Sequence, residues 1–207
     1  MAQIIKFPGQ ASKFGFKRVK KRAGAENPDQ LSLFPQPTAR ILELALDLSR
    51  FEQALMSDER GDSKAAELYE QAIEEGDCVA DAYCNLGIIE SQKGNTTKAF
   101  DCFTTSLKHD PRHSEAHYNL GNLYSDANDF RLAQMHYEMA VEVDPSFPNV
   151  YFNLALVQAI NNDLAAAVTA LTKYQNLVSA EEAQNADELL LNLRKTLAAK
   201  NSRFGPT

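Results

Sequence analysis

His109, His113 and His117 stand four residues apart. On one unbroken helix that spacing would align three imidazoles, a donor set for a divalent metal. Pro111 lies inside the span, and proline ends a helix because it lacks an N–H and clashes with the preceding turn. The three rings therefore straddle a turn, and no metal site is expected. His136 reads as an ordinary helix-surface residue. No Ser-His-Asp set, glycine-rich phosphate loop or pocket of paired carboxylates stands out, so the chain is expected to be no enzyme and to need no cofactor. Cys78, Cys84 and Cys102 have neither metal spacing nor a disulfide framework, and read as packing or surface residues of a reducing compartment. The chemistry that recurs is of another kind. Asn85, Asn119 and Asn153 lie 34 positions apart. An asparagine amide carries a donor and an acceptor side by side, so it can pair with a peptide's N–H and C=O together. A row of three would hold an extended chain with little regard for its side chains. The plainer alternative is that asparagine merely suits the surface of a repeated helix.

Around each asparagine the same residues recur without a gap. Tyr83-Cys84-Asn85-Leu86-Gly87, His117-Tyr118-Asn119-Leu120-Gly121 and Tyr151-Phe152-Asn153-Leu154-Ala155 align. So do Ala99, Ala133 and Ala167, then Phe103, Tyr137 and Leu171, and Pro111 with Pro145. A fixed period of this length means stacked helix–turn–helix units. Gly87 and Gly121 admit the second helix of each pair where a Cβ would intrude, and the recurring alanines do the same from the facing helix. Pro111 and Pro145 stop the second helices. Gly94-Asn95, Asn128-Asp129 and Asn162-Asp163 mark the turns within pairs.

This pattern resembles the tetratricopeptide repeat (TPR). The middle copy fits best, with Leu120, Gly121, Tyr124, Ala133, Tyr137, Ala140 and Pro145 in place. The flanking copies depart from it at Glu90, Ser106, Ala155, Gln158 and Tyr174, and the chain has no Trp. The resemblance implies an all-α, right-handed α-solenoid of antiparallel helix pairs that binds protein or peptide without catalysis. In such stacks the first helices line a concave groove, which implicates Asn85, Ile88, Tyr118, Asn119, Asn122, Phe152, Asn153 and Leu156. The asparagine row resembles the ladder in the TPR groove of the O-linked GlcNAc transferases, whose catalytic domain has no counterpart here. The lysine and arginine clamp of chaperone-binding TPRs is missing. Asp81, Glu115 and Asp126 make the groove acidic and favour a neutral or basic peptide.

The expected TPR domain runs over 38–199. A degenerate repeat fills 38–79, its first helix at Arg40 to Met56 with Ile41, Leu44, Leu48, Phe51 and Leu55 on one stripe. Repeats at 80–113, 114–147 and 148–179 follow. A helix at 180–199 buries Leu189, Leu190, Leu193 and Leu197 and caps the stack with a polar outer face. Residues 200–207 read as a disordered tail.

Residues 1–37 read as a flexible basic arm and a proline-flanked linker. The net charge of −7 conceals seven cations and no acid within residues 1–22, which leaves −14 on the remainder. Such an arm is either a solvated leader or a contact for nucleic-acid phosphates, with Phe14 and Phe16 able to stack on bases. Gln30-Leu31-Ser32-Leu33-Phe34, bounded by Pro28, Pro35 and Pro37, resembles the pentapeptide that docks bacterial replication proteins on the DNA sliding clamp. Gln30, Leu31, Leu33 and Phe34 would make those contacts; the competing role is an apolar lid on the first helix. The segment also resembles the connector between a MerR-type winged helix and such repeats, but the basic arm of residues 1–22 is too short to hold that domain. The alternative to a peptide-binding scaffold is thus a DNA-linked adaptor. No run approaches the ~20 apolar residues of a membrane helix. Met1 to Arg22 has no apolar core of a signal peptide, so the expected location is cytoplasmic.

Overall fold

The computed structural model describes residues 15–20 and 48–203. Among them are α1 (Arg50–Glu59), α2 (Ala65–Glu75), α3 (Val79–Gln92), α4 (Thr96–His109), α5 (Ser114–Asp126), α6 (Phe130–Val143), α7 (Pro148–Ile160), α8 (Leu164–Leu177) and α9 (Ala180–Arg203). Each helix packs chiefly on the one before and the one after it. The described residues therefore form an α-solenoid of four helix pairs closed by α9. No helix among them is long and apolar enough to cross a membrane.

The period explains how each pair closes. A Cβ on Gly87 would stand 2.7 Å from Phe103, and one on Gly121 would stand 2.5 Å from Tyr137. Both rings are fully buried, so glycine is what lets α3 meet α4 and α5 meet α6. The third pair has Ala155 and Leu171 at these places, both buried in one cluster; a branched aliphatic takes the place of the flat ring where a methyl takes the place of hydrogen. The intrapair turns repeat in backbone conformation, with φ of +81° at Gly94, +60° at Asn128 and +64° at Asn162. Asn tolerates this left-handed region better than most residues. Asp129 and Asp163 then cap the next helices by accepting from the N–H of Leu132 and of Ala166, each at 3.2 Å.

Both ends differ from the sequence reading. The first helix starts at Arg50, not Arg40, and runs to Glu59. Ser49 and Glu52 form a capping box there: the Ser49 N–H donates to Glu52 at 2.9 Å and the Glu52 N–H donates to the Ser49 hydroxyl at 3.3 Å. Leu48 precedes that start, and Ile41 and Leu44 lie outside the described residues. At the other end α9 continues to Arg203, so residues 200–203 of the expected tail are helical. Ala186, Leu189, Leu190 and Leu193 are buried, while Glu181, Glu182, Arg194 and Lys195 are exposed. Gln30, Leu31, Leu33 and Phe34 lie outside the described residues, so the lid and clamp readings do too.

Candidate functional site

Asn85 sits on α3 and Asn119 on α5, one repeat apart, and both side chains are fully buried. What covers them is the chain's own residues 15–20, a segment without helix or turn that lies across α3 and α5. The Val19 N–H donates to the Asn85 amide oxygen at 2.8 Å, and the Asn85 amide N–H donates to the Val19 carbonyl at 3.0 Å. Lys17 repeats this geometry on Asn119, at 3.0 Å and 3.1 Å. Two residues of extended chain span ~6.6–6.8 Å, so consecutive asparagines meet every second residue. The backbone of Phe16 and Arg18 is thereby left out of the ladder. The arm runs opposite to the stack: residue 17 meets the later repeat and residue 19 the earlier one.

The next contact along comes from a phenol. The Tyr118 hydroxyl donates to the Gly15 carbonyl at 2.7 Å and accepts from the Asn153 amide at 3.2 Å. Burial pushes the Tyr118 hydroxyl well above the usual phenol range, so it stays protonated and able to donate. Asn153 also donates to the Asn122 oxygen at 2.9 Å, which accepts from the Tyr137 hydroxyl at 2.7 Å. Asn153 thus reaches the arm through Tyr118. The other asparagines are braced from behind. Asn85 donates to the Tyr69 hydroxyl at 3.1 Å, and Tyr69 donates to Asp58 at 3.3 Å. Asn119 donates to the Cys84 sulfur at 3.5 Å. Cys84 and Tyr118 stand at the same place of successive repeats, so the thiol braces Asn119 as the Tyr118 hydroxyl braces Asn153.

Side chains of the arm are also received. Val19 is 1% exposed and joins an apolar cluster with Cys84, Ile88, Phe103 and Leu120. The Phe16 ring stacks on Phe103 with centroids 6.0 Å apart. Lys17 places its ammonium 3.4 Å from the centroid of Phe147 and 3.9 Å from the Glu115 carboxylate. Arg18 pairs with Asp58 and donates to Gln92 at 3.2 Å. Attraction of a cation by an aromatic face adds to the ion pairs.

Tetratricopeptide repeat family profiles match residues 79–146 and 118–186, together just over half of the chain. The chain is a tetratricopeptide repeat protein. Solved TPR structures share its fold. The first TPR of Spaghetti (RPAP3), bound to the HSP90 peptide SRMEEVD, is 20% identical with a TM-score of 0.53, covering 57% of this chain and 93% of that one. The Yersinia enterocolitica type III secretion translocator chaperone SycD is 19% identical with a TM-score of 0.54, covering 58% and 86%. MamA is 18% identical with a TM-score of 0.53, covering 69% and 88%. Among curated proteins, none matches the chain in sequence.

Asn85, Ile88, Tyr118 and Asn119 come together on the arm. Phe152 is buried edge-on against Tyr174, centroids 5.2 Å apart, and Leu156 lies in the same core cluster. Residues 1–22 read in sequence as a leader or a phosphate contact; at residues 15–20 the arm lies on α3 and α5, and Lys17 and Arg18 face carboxylates. Asp81, one of the acids expected to charge the groove, accepts from His113 at 2.9 Å. The Ala116 N–H donates to the other nitrogen of that ring, which fixes the proton on the nitrogen facing Asp81. His136 is no plain surface residue either. It meets His117 at 3.1 Å and stacks on Tyr124. His109 stacks on Tyr83, so the three evenly spaced histidines enter three separate environments. Asp58, Gln92 and Phe147 were missed, because none stands at a recurring position of the TPR pattern.

Proposed function

We propose that this TPR protein is a non-catalytic scaffold whose concave groove holds an extended peptide by its backbone, with Asn85, Asn119 and Asn153 as the ladder. The observation that carries the reading is the double pairing of Lys17 on Asn119 and of Val19 on Asn85. Each amide meets both polar groups of one residue, which is how a strand is recognised without reference to its side chains. The fold supports it as well. TPR stacks generally serve protein interaction, and the Spaghetti relative is bound to a peptide. That peptide ends in acidic residues, whereas the segment seated here carries Lys17, Arg18 and Lys20. The two grooves therefore read opposite charge. Nucleic-acid contact finds no support at residues 15–20, since Lys17 and Arg18 are engaged by Glu115 and Asp58.

The test uses the full chain with Arg18→Glu and Val19→Asp, which unseat residues 15–20 from Asn119 and Asn85, and a peptide selected by display against it. Calorimetry should show that changing Asn85, Asn119 and Asn153 together to Ala weakens it by ~1.5–4.5 kcal/mol if each rung contributes a net hydrogen bond of ordinary strength. Lys108→Ala, on an exposed position of α4, should leave affinity unchanged. A triple variant that keeps its helicity and binds normally would place the peptide on another face.

A further inference from the structure

We propose that the groove selects side chains as well as backbone: it takes an extended segment in the order aromatic, Lys, Arg, branched aliphatic, and residues 15–20 are an internal copy that such a partner segment must displace. The inference rests on the ladder reading above and adds to it the class of partner.

The asparagines would accept almost any strand, but the sites between and beside them would not. The Asp58 side chain is 7% exposed where it pairs with Arg18. A carboxylate that shielded, left without its cation under a neutral occupant, keeps only the Tyr69 hydroxyl against its desolvation, so the groove favours a segment with a cation here. The Tyr69 hydroxyl joins this carboxylate to Asn85, which links charge recognition to the Val19 rung. Two residues away, Glu115 and the face of Phe147 receive a second cation. A carboxylate at either place would meet like charge and desolvation together. The slot that leaves Val19 1% exposed suits a compact branched side chain, and the Phe103 ring gives an aromatic neighbour its platform.

The arm is also attached as a ligand is. Gly15 and Lys20 are exposed at the two ends of the seated segment. Between them, two amide rungs, one buried valine and two ion pairs hold residues whose ordering opposes docking. An open cleft of about 600 Å³ beside the arm, bordered by Gln92, Glu115 and Asn149, leaves room for a partner to enter. A tethered ligand competes at an effective concentration of order millimolar. A free segment of micromolar intrinsic affinity therefore binds the intact chain far more weakly than a chain whose arm is released.

The experiment uses the full chain, wild type and Arg18→Glu/Val19→Asp, with helicity measured for both. These changes set a carboxylate against Asp58 and a charge in the apolar slot, and neither residue lies in a helix. The probe is a fluorescent peptide Gly-Phe-Lys-Arg-Val-Lys, capped at both ends, read by anisotropy beside a neutral peptide with Gln at the three basic places. We expect the basic peptide to bind the released chain at least tenfold tighter than wild type, and the neutral peptide to bind the released chain at least tenfold more weakly than the basic one. Equal binding of both peptides overturns the selectivity and leaves the ladder standing. Equal affinity of the basic peptide for both chains shows that the arm is no competitor. Failure of both peptides on a helical released chain overturns the ladder as well. On the released background, Asn85→Ala/Asn119→Ala separates the two ideas: undiminished binding of the basic peptide would refute the ladder while charge selection survived. Should the released chain lose helicity, amide exchange of wild-type Val19 under excess basic peptide decides the matter, since a displaced arm must exchange faster.

Discussion

Asn85→Ala should release the far end of the arm while leaving the repeats folded. The substitution removes two hydrogen bonds, at 2.8 Å and 3.0 Å, from the Val19 backbone. Tyr69 keeps its partner, because its hydroxyl donates to Asp58. A net ~0.5–1.5 kcal/mol per bond gives ~1–3 kcal/mol in all, bounded above by the arm's own docking free energy, since the arm can leave and be resolvated. A factor of ten per ~1.4 kcal/mol turns this into a roughly fivefold to hundredfold faster exchange of the Val19 amide. Hydrogen exchange resolved at that amide is the assay, with circular dichroism as the control for the helices. Asn85→Asp should be at least as damaging. Its oxygen still accepts from the Val19 N–H, but nothing donates to the Val19 carbonyl, and a new charge stands near Asp58. If Val19 exchanged at the wild-type rate in a fully helical Asn85→Ala protein, the rung would hold nothing, and the pairing would have no energetic meaning.

Two further outcomes concern the scaffold itself. Gly121→Leu forces a side chain where even a Cβ stands 2.5 Å from the buried Tyr137 ring; a cost of ~1–3 kcal/mol lowers Tm by about 2–12 °C for a chain of this size, and a wild-type melting curve would refute the packing account. Burial, and then the neighbouring His117, push the His136 imidazole down to about 4. The unfolded state therefore binds the extra proton between about pH 6.5 and pH 4, so stability falls as pH drops through that window and levels off below it. Melting curves against pH should show that slope reduced in His136→Gln, and an unchanged slope would assign it to other groups.

Local pattern carried much of the architecture. Glycine facing a ring on α3 and α5, proline behind α4 and α6, and asparagine on α3, α5 and α7 are requirements that one repeat meets with its neighbour, so they recur every 34 residues and can be read without coordinates. The start of α1 was legible too, in the capping box of Ser49 and Glu52, but the apolar stripe at Ile41, Leu44 and Leu48 drew the reading ten residues too early. Periodicity alone does not say where a helix begins; a side chain that satisfies the first free N–H groups does.

The occupant of the groove was not legible, nor was the meeting of His117 with His136. Residues 15–20 have no period, no cap and no turn signal. Their partners Asn85 and Asn119 lie 66 and 102 residues away along the chain. The sequence by itself determined that a row of amides would face one side of a helical stack, because helix period and repeat length are local matters. Which strand the amides take, and that Asp58 and Phe147 stand ready for its cations, was decided by tertiary structure alone. Only the superhelical stacking of α1, α3, α5 and α7 brings a carboxylate, two amides and an aromatic face within reach of the same six residues.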